Sequence, residues 1–134
     1  MNKQEFINTL ENLHLPKSEF IILSGGSLLL RGLRQNTNDL DLCVSKPLAQ
    51  KLHLDQAPID EYGYFRPFVN CQMLNNFEDF HFDIIDGYQC ETLEDVLTFK
   101  KSLLRPKDLK DIEAIEQHLF RQKNCPGKAP GQKV

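Results

Sequence analysis

Apolar residues recur at helical spacing across residues 3 to 13, where Phe6, Leu10 and Leu13 share one face and Pro16 closes the segment. The run 20 to 23 is continuously apolar and ends in Ser24-Gly25-Gly26, the pattern of a buried strand that enters a tight turn. From 27 to 33 the spacing turns helical and stops near Gly32. Residues 39 to 45 alternate, with Leu40, Leu42 and Val44 on one side and Asp39, Asp41 and Cys43 on the other, which predicts a half-buried strand. Pro47 suits a first helical turn and opens a helix expected to reach Leu54. Between 55 and 70 the residues Tyr62, Tyr64, Phe65 and Phe68 read as an aromatic strand or loop on the core. Residues 71 to 75 and 80 to 85, separated by a polar turn, read as a hairpin. In its second arm Phe80, Phe82 and Ile84 face one way and His81, Asp83 and Ile85 the other, so Asp83 stands among apolar neighbours. Two helices follow, at 92 to 104 behind a capping-box-like Thr92-x-x-Asp95, and from Pro106 to about Phe120 with Leu109, Ile112, Ile115 and Leu119 at core spacing.

This order of elements predicts an α/β (α+β) layered domain, a mixed sheet flanked by helices with two helices at the C-terminal end. The 134 residues amount to one domain, expected over 1–120, and the tail 121–134, with Pro126, Gly127, Pro130 and Gly131, reads as flexible. At 40% hydrophobic and 26% charged the composition is that of a globular chain. The longest apolar runs fall far short of the roughly 20 residues of a membrane span, and the first 13 residues carry charges and amides where an export signal would be apolar. A non-membrane, cytoplasmic protein is therefore expected. Cys43, Cys71, Cys90 and Cys125 are scattered and read as free thiols. The net charge of -3 gives no global attraction for nucleic acid, and the basic C-terminal end reads as a solvated terminus.

The chemistry concentrates in residues 24 to 45. Asp39 and Asp41 project from the same side of one strand, and their mutual repulsion favours a shared divalent cation. Oxygen-only donors point to magnesium or manganese. Such a pair arises often by chance at strand ends, and Asp83 shifts the weighing: a carboxylate buried unpaired in FHFDII would cost several kcal/mol. If the strand at 80 to 85 lies next to that at 39 to 45, Asp39, Asp41 and Asp83 form a three-carboxylate cluster able to hold two ions about 4 Å apart. Gly25 and Gly26 at a helix start would let the backbone approach a phosphate, with the Ser27 hydroxyl as a further donor. An ordinary helix-capping turn is an equally good reading of that stretch.

Taken together, Gly25-Gly26-Ser27, then Asp39-Leu40-Asp41-Leu42, then Asp83 resemble the nucleotidyltransferase superfamily of the DNA polymerase beta type, above all its minimal bacterial members, such as antibiotic nucleotidyltransferases and abortive-infection type toxins. Arg31-Gly32-Leu33-Arg34, Thr37 and Asp39-Leu40-Asp41 resemble the family's G-x-R-x-x-T-x-D-h-D wording. Thr92 through Lys100, with Arg105-Pro106-Lys107-Asp108 and onward to Ile112, is similar to its C-terminal helical stretch, so that the likeness spans about residues 18 to 120.

The resemblance implies a metal-dependent nucleotidyltransferase that moves a nucleoside monophosphate from a nucleoside triphosphate to an acceptor hydroxyl and releases pyrophosphate. It implies Asp39, Asp41 and Asp83 as catalytic residues and ligands of two Mg2+ (or Mn2+) ions. Gly25, Gly26, Ser27, Arg34 and Lys100 would bind the nucleotide. Arg34 serves equally well as partner of a surface carboxylate, and Arg105, Lys107 and Asp108 read as a helix-capping ion-pair network. His81 reads as a packing or hydrogen-bonding residue outside the catalytic set. The acceptor is unspecified, with nucleic acid entering only in that role. The chain lacks the family's usual large second domain, so a homodimer or partner subunit is expected to complete the acceptor cleft. The alternative is a non-catalytic nucleotide- or partner-binding module of the same fold, for example a toxin–antitoxin component.

Overall fold

A computed structural model describes residues 1–124. They form α1 (Lys3–Glu11), β1 (Phe20–Ile22), α2 (Ser24–Leu30), β2 (Leu40–Val44), α3 (Lys46–Lys51), β3 (Phe65–Phe68), β4 (Cys71–Leu74), β5 (Phe82–Ile85), β6 (Tyr88–Glu91), α4 (Leu93–Leu103) and α5 (Leu109–Asn124), with short 3-10 turns between. The fold is of the expected mixed α and β class. The chain divides into two compact units, Met1–Val96 and a second beginning at Leu97. The expected tail falls partly in α5, through Asn124, and otherwise outside the described residues.

In the first unit the six strands form one mixed sheet in the order β3-β4-β2-β1-β6-β5. β1 runs antiparallel to β2 and parallel to β6, and β2 runs parallel to β4. Hairpins close both ends, β3 with β4 and β5 with β6. The alternation in β2 sorts its residues between two apolar clusters. Leu40, Leu42 and Val44 join Phe6, Leu10, Phe20, Ile22 and Leu29 in the main core, while Cys43 joins Ile21 and Leu23 in a smaller one against Leu74, Phe77 and Phe80. α1 is anchored by a capping box between Asn2 and Glu5 and buries Phe6 and Leu10 in the main core.

Two expectations are corrected here. Ser24-Gly25-Gly26 is the first turn of α2 rather than a turn before it. Packing is the reason: a Cβ at Gly26 would lie 2.7 Å from both Ile22 Cγ2 and Phe6 Cζ, so a side-chain-free position lets α2 settle on the core. The hairpin expected between 71–75 and 80–85 does not form, for β4 and β5 lie near opposite ends of the sheet. Asp86 (φ 53°) and Gly87 (φ 85°) instead turn β5 back onto β6. Two successive positive φ values match the right-handed twist of a hairpin, which makes Asp-Gly a stronger pairing signal than a long polar connection.

In the second unit Lys100 forms a buried hub, its ammonium 3.1 Å from Asp108 and 3.2 Å from Asp111, with Arg105 Nε 2.6 Å from the other Asp108 oxygen. Lys101 pairs with Glu116 at 2.6 Å. Among the described residues no helix is long and apolar enough to cross a membrane.

Candidate functional site

The acidic pair lies where β2 begins. Asp39 occupies the bend before the strand and Asp41 its second position, both partly exposed. β1 fixes the strand end, for Leu23 N–H donates to the Asp41 carbonyl at 2.8 Å. Both carboxylates act on the buried thiol of Cys71: burial is the main cause pushing it up to about 12, and the charges of Asp41 and Asp39 add to it.

Two residues on from Leu23, Gly25 lies in the first turn of α2. A Cβ there would lie 3.0 Å from Arg34 Nη1 and 3.0 Å from Thr37 Oγ1, so the bare backbone of α2 lets both side chains close on it. Thr37 is buried, and its N–H donates to the Met1 carbonyl at 2.9 Å. Gly25, Arg34 and Thr37 thus gather, and the loop from Arg34 leads directly into Asp39 and Asp41.

The other expected nucleotide ligands point elsewhere. Gly26 packs on Phe6 and Ile22. Ser27 is fully buried; its hydroxyl donates to the Glu91 carbonyl at 2.7 Å and accepts from Arg31. Both capacities of that hydroxyl are used inside the fold, so it holds α2 to β6. Lys100 is 3% exposed, and its charge is met by Asp108 and Asp111. Asp108 shows the balance: burial raises its pKa, but hydrogen bonds and charge from Arg105 and Lys100 outweigh this and hold the carboxyl below its ordinary range.

Asp83 does not join Asp39 and Asp41. Two strands, β1 and β6, lie between β5 and β2, which at about 4.8 Å per step sets the strands ~14 Å apart. The register also sets it on the opposite face. Asp83 is aligned with Cys90, Cys90 with Ile22, and Ile22 with Leu42, so Asp83 shares the row of Leu42 and faces away from Asp41. Nor is it buried: its side chain is 57% exposed on the edge strand and paired with Arg31 Nη2 at 2.8 Å. The burial inferred from FHFDII fails because an edge strand leaves apolar residues open, as Ile84 at 60% illustrates. His81, also on that side of the sheet, bonds Asp95 at 2.9 Å and stays outside the site.

Three residues with no role assigned from the sequence complete the surroundings. Arg31 donates to the carbonyl of Glu91 at 3.0 Å as well as to Asp83, tying α2 to β5 and β6. The buried Glu91 carboxylate accepts the Ser24 N–H at 2.9 Å, so the chain supplies its own negative charge at the start of α2. Gln72 is aligned with Asp41 across the parallel β2–β4 pair. With its amide nitrogen 3.0 Å from Asp41 Oδ1, the Gln72 oxygen accepts from Arg66 Nη2 at 2.6 Å; the reverse orientation would set oxygen against oxygen. Arg66 Nε in turn donates to Asp60 at 3.0 Å. Only the pairing of β2 with β4, invisible in the sequence, brings Gln72 here.

The expected pair of ions requires three converging carboxylates. Among the described residues no group of three or more His, Cys, Asp or Glu side chains is gathered to hold a metal, and the partner aligned with Asp41 is an amide. The residues do not fit a two-ion centre. No family model, curated protein or solved structure matches this chain.

Proposed function

We propose that this chain is a nucleotidyltransferase-type protein that binds a nucleoside triphosphate at Gly25, Arg34 and Thr37, with Asp39 and Asp41 as its acidic pair. The observation that carries this reading is the closure of Arg34 and Thr37 on a side-chain-free Gly25, in the loop that runs into the two aspartates. A guanidinium matches two phosphate oxygens, and a buried threonine hydroxyl beside it adds a fixed donor. Asp39 and Asp41 would hold one Mg2+, which when bound supplies charge neutralisation for the triphosphate. The reaction is attack of an acceptor hydroxyl oxygen on the α-phosphorus, forming that O–P bond and breaking the bond to pyrophosphate. The chain's part in it is positioning and electrostatic complementarity. Neither Asp83 nor Ser27 has a role in it.

A second reading is favoured by one specific observation, the amide that stands beside Asp41 where a third carboxylate would complete the pair. In it the chain binds the nucleotide without transferring it, as a module whose product is a complex with a partner subunit. Calorimetric titration with each of the four ribonucleoside triphosphates in Mg2+ tests the shared part: saturable binding to wild type that is lost in Arg34→Ala supports the site, and no heat with any nucleotide refutes it. Incubation with α-labelled triphosphates and cell extract then separates the readings. Label transferred by wild type and not by Asp41→Asn supports the transferase, whereas binding without transfer selects the module.

A further inference from the structure

The two edges of the sheet are built differently. β3 carries Pro67, and its pairing with β4 shifts register between Phe65 and Phe68, devices that discourage a further strand from pairing there. β5 has neither, and its four residues pair with β6 in unbroken register behind the two-residue turn Asp86-Gly87. Such a turn makes Ile85 and Tyr88 a hydrogen-bonded pair, so Asp83 and Cys90 are one as well. Thr92 N–H, donating to the His81 carbonyl at 3.1 Å, continues the same alternation. The N–H and C=O groups of Phe82 and Ile84 therefore point away from β6, at the outer side of the last strand. Phe82 and Ile84 also stand exposed on one face of this edge, with His81 and Asp83 exposed on the other.

We propose that residues 80–84 form a dimerisation edge, pairing antiparallel with the same segment of a second copy across a two-fold axis at Phe82. Charge decides the register. An axis at Asp83 would set two carboxylates directly opposite each other, which is destabilising. An axis at Ile84 would set Phe82 against the partner's Asp86, whose φ of 53° has already left the strand. An axis at His81 would bring two imidazoles together and set Ile84 against the 3-10 turn Phe77–Asp79. With the axis at Phe82, Asp83 faces the partner's His81 and Ile84 faces the partner's Phe80, each pair occurring twice by symmetry. Phe80 is extended, at φ -114° and ψ 142°, so its carbonyl can accept the Ile84 N–H of the other copy. One face of the junction is then wholly apolar, from Phe80, Phe82 and Ile84. On the other face the groups alternate in sign: Arg31, Asp83, the partner's His81 and the partner's Asp95. Set between two carboxylates, His81 carries both ring protons and donates to each. The segment is short, so the dimer belongs to the weak, concentration-dependent class. It leaves Gly25, Arg34 and Thr37 untouched.

Disulfide cross-linking of the whole chain reads the register. Facing residues of a hydrogen-bonded antiparallel pair have Cα atoms about 5.5 Å apart, within the reach of a disulfide. Cys43, Cys71 and Cys90 are buried, and Cys125→Ser removes the remaining thiol from the background. In it Phe82→Cys is expected to give a covalent dimer under mild oxidation. Asp83→Cys and Ile84→Cys, displaced from the axis, are expected to stay monomeric, as is Val69→Cys, an exposed position away from this edge that measures random collision. Sedimentation equilibrium on the unmodified chain supplies the second reading. Wild type is expected to pass from monomer to dimer as its concentration rises to about 0.5 mM. Ile84→Lys, at an exposed position that tolerates the change, and His81→Asp, which opposes like charges, are each expected to weaken the dimer at least tenfold. A wild type that stays monomeric, a dimer indifferent to Ile84→Lys, or cross-linking of Asp83→Cys or Val69→Cys that equals that of Phe82→Cys would each overturn the proposal. Should Phe82→Cys fail to fold, Ile84→Lys and His81→Asp decide.

Discussion

Gly26→Ala and Gly25→Ala separate packing from ligand binding at adjacent positions of one helix. At Gly26 the new Cβ would lie 2.7 Å from Ile22 Cγ2 and 2.7 Å from Phe6 Cζ, two fully buried groups. Carbon atoms rest at about 3.5–4 Å, so each contact is short by about 1 Å and the core has to shift. Overpacking of this kind costs about 1–3 kcal/mol, and two opposed contacts put it near the top of that range. Alanine regains about 1 kcal/mol of helix propensity, leaving a net loss of about 1–2 kcal/mol. Divided by an m-value of about 2 kcal/mol/M, this lowers the urea midpoint by about 0.5–1 M, read from helical ellipticity. At Gly25 the new Cβ meets only side-chain atoms, Arg34 Nη1 and Thr37 Oγ1 at 3.0 Å. At 3.0 Å these side chains need give by only a few tenths of an ångström, so stability stays within about 0.5 kcal/mol of wild type, while nucleotide affinity falls by about tenfold, roughly 1.4 kcal/mol of displaced phosphate contact. An unchanged or higher midpoint for Gly26→Ala would refute the packing argument; unaltered nucleotide affinity in Gly25→Ala would refute the placing of the phosphate at Arg34.

Asp83→Asn is expected to lose no more than about 1 kcal/mol, because Asp83 is exposed on the edge strand and asparagine keeps an acceptor for Arg31, which also bonds Ser27 and the Glu91 carbonyl, and to leave nucleotide binding in Mg2+ unchanged, whereas Asp41→Asn weakens it. Asp108→Ala is expected to lose about 3 kcal/mol by urea unfolding at pH 7, since it leaves the buried Lys100 with Asp111 alone. The Asp108 carboxyl is depressed in the folded protein, so its stabilisation is full above the ordinary carboxylate pKa of about 4 and is lost as pH falls below it. The difference between wild type and Asp108→Ala should therefore be flat from pH 7 to about 5 and shrink on further acidification. Burial pushes the thiols of Cys43, Cys71 and Cys90 up to about 12, so iodoacetamide at pH 8 should leave all three unmodified in the native protein by peptide mass analysis and alkylate them in urea.

The sequence by itself determined the local pieces. The 3.6-residue spacing of Phe6 and Leu10, the strict alternation from Leu40 to Val44, and the apolar repeat that includes Ile112 and Ile115 all became the elements they predicted. The reason is that periodicity and capping act over a few residues, within reach of one segment's own side chains. The return of Arg34 and Thr37 to Gly25 is local too, since only residues 31–39 lie between α2 and β2. What only the tertiary structure decided was the composition of the site. Strand order and register depend on partners as distant as Ile22 and Cys90, and a shift of one residue moves a side chain to the other face of the sheet. Asp83 and Asp41 look alike in sequence, each an aspartate set into an apolar strand. The order β2-β1-β6-β5 separates them, and the alignment through Cys90, Ile22 and Leu42 turns them back to back. The same pairing rules bring in Gln72, which no sequence pattern marks, and set an amide in place of a third carboxylate beside Asp41.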